Sequence, residues 1–108
     1  MDVSQKLLLG GSIDDPDLDG LRNDLCECRL PDSYYVIVYT VSASLEIYSF
    51  RMIHYNPGVL RTGDLIVGLA ASKEEAYGLI LEVMDQIYAL AKYRDLKQFM
   101  EEQLGVKP

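Results

Sequence analysis

The chain has 108 residues, 49% of them hydrophobic and 25% charged, a composition typical of a folded protein rather than a disordered one. Its formal net charge of -7 disfavours nucleic acid as a partner, because binding to phosphate groups requires clustered lysine and arginine side chains. The sequence shows neither a signal peptide nor a run of membrane-spanning length, so we expect one cytoplasmic domain over residues 1–108 with no membrane partner.

Residues 1–16 lack a clear periodicity because glycine and proline interrupt it, and we predict a poorly ordered or irregular segment there. Asp17 has the chemistry of a helix N-cap, and the apolar residues after it recur at helical spacing. A short N-terminal helix is therefore predicted from about Leu18 to Cys28.

The stretch from Asp15 to Gly20, D-P-D-L-D-G, matches the opening of a calcium-binding EF-hand loop. The twelfth position of such a loop carries a carboxylate that binds calcium through both oxygens, but here it is Cys26. We therefore predict no tight metal site at Asp15, Asp17 and Asp19, with weak cation binding left open. No motif for another cofactor is found.

Three segments are predicted to be strands. Residues 33–41 are dense in β-branched and aromatic side chains, and residues 42–44 suit a hairpin connection to a second strand at 45–54. An Asn-Pro-Gly turn then leads to a third strand at residues 65–70. Because this third strand is apolar on both parities, we expect it to be central and covered on both faces.

A long helix is predicted from Lys73 to Lys92, with Ser72 and Glu75 forming a capping box. Its apolar residues form two rows that together span an arc of about 200°, about twice that of an ordinary surface helix. One sheet face cannot cover both rows, so the N-terminal segment, the last helix or another copy of the protein must cover the second. The sheet-facing row is Ala76, Ile80, Val83, Ile87 and Leu90, and the second row is Tyr77, Leu81, Met84 and Tyr88.

Asp95 and Gln98 form another capping box, which begins a short helix that ends before Gly105. Residues 105–108 are expected to fray. The predicted fold is α+β, a three-stranded antiparallel meander in β-β-β-α order with the long helix packed on one face and short N-terminal and C-terminal helices.

The segments L-E-I-Y-S at 45–49, I-V-G-L-A-A-S-K-E-E-A-Y at 66–77 and R-D-L-K-Q-F-M at 94–100 resemble small proteins of low-GC Gram-positive bacteria. The resemblance covers roughly residues 31–100. It implies a bacterial, cytoplasmic α+β domain of unassigned function, and it supplies no functional residues.

The sequence contains no recognisable catalytic motif, so we do not expect an enzyme, although a small enzyme using His54 is a third alternative. The leading hypothesis is a non-enzymatic protein–protein interaction module that forms a homodimer through the second row, together with tyrosines of the hairpin. The main alternative is a small-ligand or effector-binding domain that recognises an anionic group in a tyrosine-lined cleft. Its candidate residues are Arg51, Arg61, Tyr48 and His54.

Overall fold

The computed structural model describes residues 2–13 and 17–106, which form a four-stranded mixed sheet with helices on both of its faces. The strands are β1 (Asp2–Leu9), β2 (Tyr35–Tyr39), β3 (Leu45–Ser49) and β4 (Leu65–Ala70). The helices are α1 (Leu18–Cys26), α2 (Phe50–Tyr55), α3 (Lys73–Met84) and α4 (Leu96–Leu104), with a 3₁₀ turn at Pro57–Val59 and a π-helical turn at Asp85–Ala89.

The sheet order is β1-β4-β2-β3, with β1 parallel to β4 and the other two pairings antiparallel. The α+β class is confirmed, and so is the central position of β4, which is buried from Ile66 to Ala70. The prediction of a three-stranded antiparallel meander is wrong in two respects. β1 adds a parallel strand, and β4 pairs with β2 rather than with β3.

The change of strand order follows from α2, which replaces the second half of the predicted strand at 45–54. The Ser49 hydroxyl accepts a hydrogen bond from the Met52 amide at 3.1 Å and caps the helix. Phe50 and Ile53, three residues apart, are then fully buried on the same helix face. This cap and this spacing outweigh the β propensity of the segment, and α2 carries the chain back over one face of the sheet before β4 begins.

The segment predicted to be irregular at residues 1–16 contains β1. Its apolar side chains do not alternate simply, because the register with β4 shifts between Val3 and Leu8. Asp15 lies outside the described residues. The predicted N-cap is confirmed, since the Asp17 carboxylate accepts a hydrogen bond from the Gly20 amide at 3.0 Å, and α1 ends at Cys26 rather than Cys28.

Two apolar clusters hold the helices to the sheet. On one face, Ile37 and Val67 pack with residues of α3 and α4, including the buried Phe99 and Met100. On the other face, α1 and α2 pack on the alternate strand residues. The buried members of this second cluster are Leu21, Leu25, Val36, Val38, Phe50, Ile53, Ile66 and Leu69.

The predicted starts of α3 and α4 are confirmed, because Ser72 accepts from the Glu75 amide and Asp95 accepts from the Gln98 amide. The reciprocal half of the capping box at Ser72 differs from the prediction. The Glu75 carboxylate accepts from the amides of Ala71 at 3.1 Å and Ser12 at 3.2 Å, and not from that of Ser72. Hydrogen bonds from Ser12 and Ala71 lower the pKa of Glu75, and they join the loop after β1 to the start of α3.

Candidate functional site

The second row lies on the solvent side of α3 and of the π-helical turn that continues it. Tyr77, Leu81 and Tyr88 are 52%, 64% and 74% exposed, whereas Met84 is half-buried. Of the sheet-facing row, Ala76, Val83 and Ile87 are buried and Ile80 is half-buried. Large apolar side chains in contiguous exposed positions are typical of interaction surfaces.

Neither of the two intramolecular candidates covers this surface. β1, the N-terminal segment, occupies the sheet edge opposite β3, and it contacts β4, α1 and α4. The apolar residues of α4, including Phe99 and Met100, are buried in the cluster beneath α3. Within residues 2–13 and 17–106, Tyr77, Leu81 and Tyr88 of the second row therefore stay in solvent.

The π-helical turn changes the end of the helix. The Leu90 amide donates to the Asp85 carbonyl at 2.8 Å, a bond between residues five apart, and the predicted helical run to Lys92 ends here. Leu90 consequently leaves the sheet-facing row in which the regular spacing had placed it and is 59% exposed. π-helical turns are rare and are frequent at functional sites. This turn contains Tyr88, and the Leu90 side chain that follows it is exposed to solvent.

The four residues predicted to bind an anion lie in two places. Arg51 is on α2 rather than in a strand, and its guanidinium carbon lies 5.9 Å from the centroid of the Tyr55 ring. His54 stacks on the same ring at 4.8 Å, and its Nδ1 lies 3.6 Å from the Asp32 carboxylate. These two side chains thus surround an exposed tyrosine and do not line the clefts described below.

Tyr48 and Arg61 interact with each other electrostatically. The Tyr48 hydroxyl donates to the Glu46 carboxylate at 2.8 Å, which raises the pKa of Tyr48, and the charge of Arg61 opposes that rise. Arg61 lines a cleft of about 260 Å³ together with the carboxylates of Asp2 and Asp64. One guanidinium beside two carboxylates does not favour an anionic ligand.

Asp64 has a structural role in this region. Its buried carboxylate accepts from the backbone amides of Arg61 at 2.9 Å and Val41 at 3.0 Å, and these bonds lower the pKa of Asp64. The carboxylate thereby ties the loop before β4 to the end of β2. It also lines the largest cleft described, of about 460 Å³, beside Lys97 and Glu101.

Among the described residues, no group of three or more histidine, cysteine, aspartate or glutamate side chains is placed to hold a metal ion. Asp19, one of the carboxylates of the calcium-like sequence, forms an ion pair with Arg22, with 4.0 Å between Oδ1 and Nη1. Within the same part of the chain, no helix has the length and apolar character needed to cross a membrane.

Comparison of the chain with protein-family models, with curated proteins and with solved structures gives no match.

Proposed function

We propose that the protein is a non-enzymatic interaction module that forms a homodimer through the second row. The observation that carries the proposal is the exposure of Tyr77, Leu81 and Tyr88 beside a row in which Ala76, Val83 and Ile87 are buried. Fully burying one such side chain is worth roughly 1.5 to 3 kcal/mol, so a partner that covers the row gains substantially.

The row is also suited to a second copy of itself. Its spacings of four, three and four residues read the same in both directions. When two such helices pack antiparallel about a two-fold axis, Tyr77 lies opposite Tyr88 of the second copy and Leu81 lies opposite Met84. A two-fold interface requires this kind of self-complementary pattern.

The alternative, an anion-binding domain, receives less support. Arg51 and Arg61 would have to meet in one cleft, but Arg61 faces carboxylates and Arg51 lies on α2 beside Tyr55. We also retain as proposals the bacterial origin and cytoplasmic location that the sequence resemblance implies.

The test uses Leu81→Glu and Met84→Lys as separate variants, with mass measured by light scattering and fold by circular dichroism. The parent should be dimeric at tens of micromolar, and each variant should weaken association at least tenfold, because an unpaired charge would be buried in the interface. Met52→Glu is the matched control, since Met52 is 46% exposed on α2, across the sheet from the row. It should leave the mass unchanged.

Mixing the two variants gives a sharper result. In the antiparallel arrangement Glu at position 81 meets Lys at position 84 of the other copy, so the mixture should form a heterodimer that is tighter than the homodimer of either variant. A parent that is monomeric at these concentrations would contradict the proposal. A dimer that neither variant disrupts would move the interface away from the second row.

A further inference from the structure

The two edges of the sheet are built differently. β1 forms one edge, and its carbonyls at Val3 and Ser4 accept hydrogen bonds from the Arg22 guanidinium at 3.5 and 2.9 Å. Its register with β4 is irregular, and Lys6 lies within it. Lysine, irregular register and covered backbone groups are the devices by which proteins keep an edge strand from pairing with another chain.

β3 forms the other edge and carries none of these devices. Its sequence, L-E-I-Y-S, contains no proline, glycine or lysine, and its register with β2 is continuous from Tyr35 opposite Ser49 to Tyr39 opposite Leu45. Although the strand is short, its outer side is a regular row of backbone groups.

The hydrogen-bond pattern shows which groups point outwards. The amide of Thr40 donates to the Ser44 carbonyl, and that of Phe50 donates to the Tyr34 carbonyl. Bonded pairs alternate along an antiparallel ladder, so Glu46 and Tyr48 bond to β2. The N–H and C=O groups of Leu45 and Ile47 therefore point away from the sheet.

This edge lies beside α3, the helix that carries most of the second row. α3 packs on β3, and the side chains of Leu45 and Ile47 belong to the cluster beneath that helix. The exposed parts of Tyr77, Leu81, Tyr88 and Leu90 amount to about 370 to 500 Å² in total if each side chain presents about 150 to 200 Å². A standard interface buries about 800 Å² per partner, so a dimer needs a second surface next to the row.

We propose that β3 pairs antiparallel with β3 of a second copy, which joins the two sheets into one eight-stranded sheet. The inference rests on the homodimer proposed above. The two-fold axis lies at Ile47, whose outward N–H and C=O groups bond to those of Ile47 in the second copy. In this register Glu46 lies opposite Tyr48 of the second copy rather than opposite Glu46, which avoids a like-charge pair.

Ile47→Pro tests the pairing, with Ile47→Ala as its matched control. Both substitutions remove the side chain that packs beneath α3, but only proline also removes the outward N–H, a group that makes no bond to β2. Ile47→Pro should raise the dissociation constant at least tenfold above that of Ile47→Ala. Equal dissociation constants for two folded variants would overturn the edge pairing.

Amide hydrogen exchange on the parent provides a second measurement that does not depend on the folding of a proline variant. At concentrations where the parent is dimeric, the Leu45 and Ile47 amides should exchange at least tenfold more slowly than in the Leu81→Glu monomer. A dimer in which both amides exchange as fast as in the monomer would overturn the edge pairing and leave the second-row interface standing. A monomeric parent would overturn both proposals.

Discussion

The two apolar rows of α3 have opposite environments although they lie side by side on one helix. Ala76, Val83 and Ile87 are at most 4% exposed against the sheet, whereas Tyr77 and Leu81 are more than half exposed. The buried residues of the sheet-facing row are alanine and β-branched residues, which pack closely on strands. The side chains of the second row are larger. They include two tyrosines, which keep a polar tip in water while their rings remain available for contact.

Helical periodicity alone does not give the width of the buried face of a helix. Helical spacing identifies the residues that share a face, but the width of the buried arc depends on what packs there. Here a sheet covers one row and α4 packs beneath the helix, so Tyr77, Leu81 and Tyr88 of the second row stay in solvent. An excess of apolar residues on a helix thus predicts that a second surface covers them. No element within the described residues covers Tyr77, Leu81 and Tyr88.

Truncating one residue from each row should change the stability of the monomer by very different amounts. Ile87→Ala should lower the free energy of unfolding by about 2 to 5 kcal/mol, because it leaves a cavity at a site that is only 4% exposed. Leu81→Ala should change monomer stability by less than about 0.5 kcal/mol, because its side chain is 64% exposed. Chemical denaturation of both variants at a concentration below dimer formation measures the contrast.

The same pair can be measured again at high protein concentration. Association stabilises the folded state by mass action, so the loss caused by Leu81→Ala should grow with concentration, while that caused by Ile87→Ala should stay nearly constant. Equal losses for the two variants at low concentration would mean that Leu81 is buried within the monomer.

Local signals in the sequence predicted much of the fold. The caps at Asp17, Ser72 and Asp95, the hairpin and the central strand β4 each depend on residues close together in the chain, and all are confirmed. Gly105 ends α4 in the left-handed conformation, with φ of +69°, as its position after the last apolar residue indicates.

The missed features depend on distant partners. β1 became a strand by pairing in parallel with β4, more than fifty residues away, and its irregular register conceals the alternation that would identify it. α2 was not predicted because the β propensity of Phe50, Ile53 and Tyr55 favours a strand. The backbone groups of β3 that face outwards can be identified only when the strand order is known. The predicted meander placed this strand in the middle of the sheet, so that part of the candidate interface could not be predicted from the sequence.

Ser72 caps the start of α3 and thereby helps to fix the positions of the two rows. Ser72→Ala should lower the free energy of unfolding by about 1 kcal/mol through loss of the hydrogen bond from the Glu75 amide. The Glu75 bonds to Ala71 and Ser12 should persist, so the helix should begin at the same residue. Ser42→Ala, in the exposed hairpin loop, is the control and should leave the denaturation midpoint unchanged. A midpoint for Ser72→Ala equal to that of the parent would show that the cap contributes little.

Gly78 lies next to the second row in the middle of α3. Glycine within a helix costs about 0.5 to 1 kcal/mol relative to alanine. At Gly10 the fold explains the glycine, because a Cβ atom there would overlap the Glu75 carboxylate. At Gly78 a Cβ atom would meet nothing within 4 Å, and φ is not positive, so the described fold gives no reason for glycine.

Gly78→Ala should therefore raise the free energy of unfolding of the monomer by about 0.5 to 1 kcal/mol, while Gly10→Ala should lower it. Denaturation below the dimer concentration measures both changes. If the second row binds a second helix, the missing side chain at Gly78 lets the two backbones approach, and Gly78→Ala should weaken association even as it stabilises the monomer. A variant that is more stable and associates as tightly as the parent would show that the partner does not approach the helix on this side, and would shift the contact towards Met84 and the β3 edge.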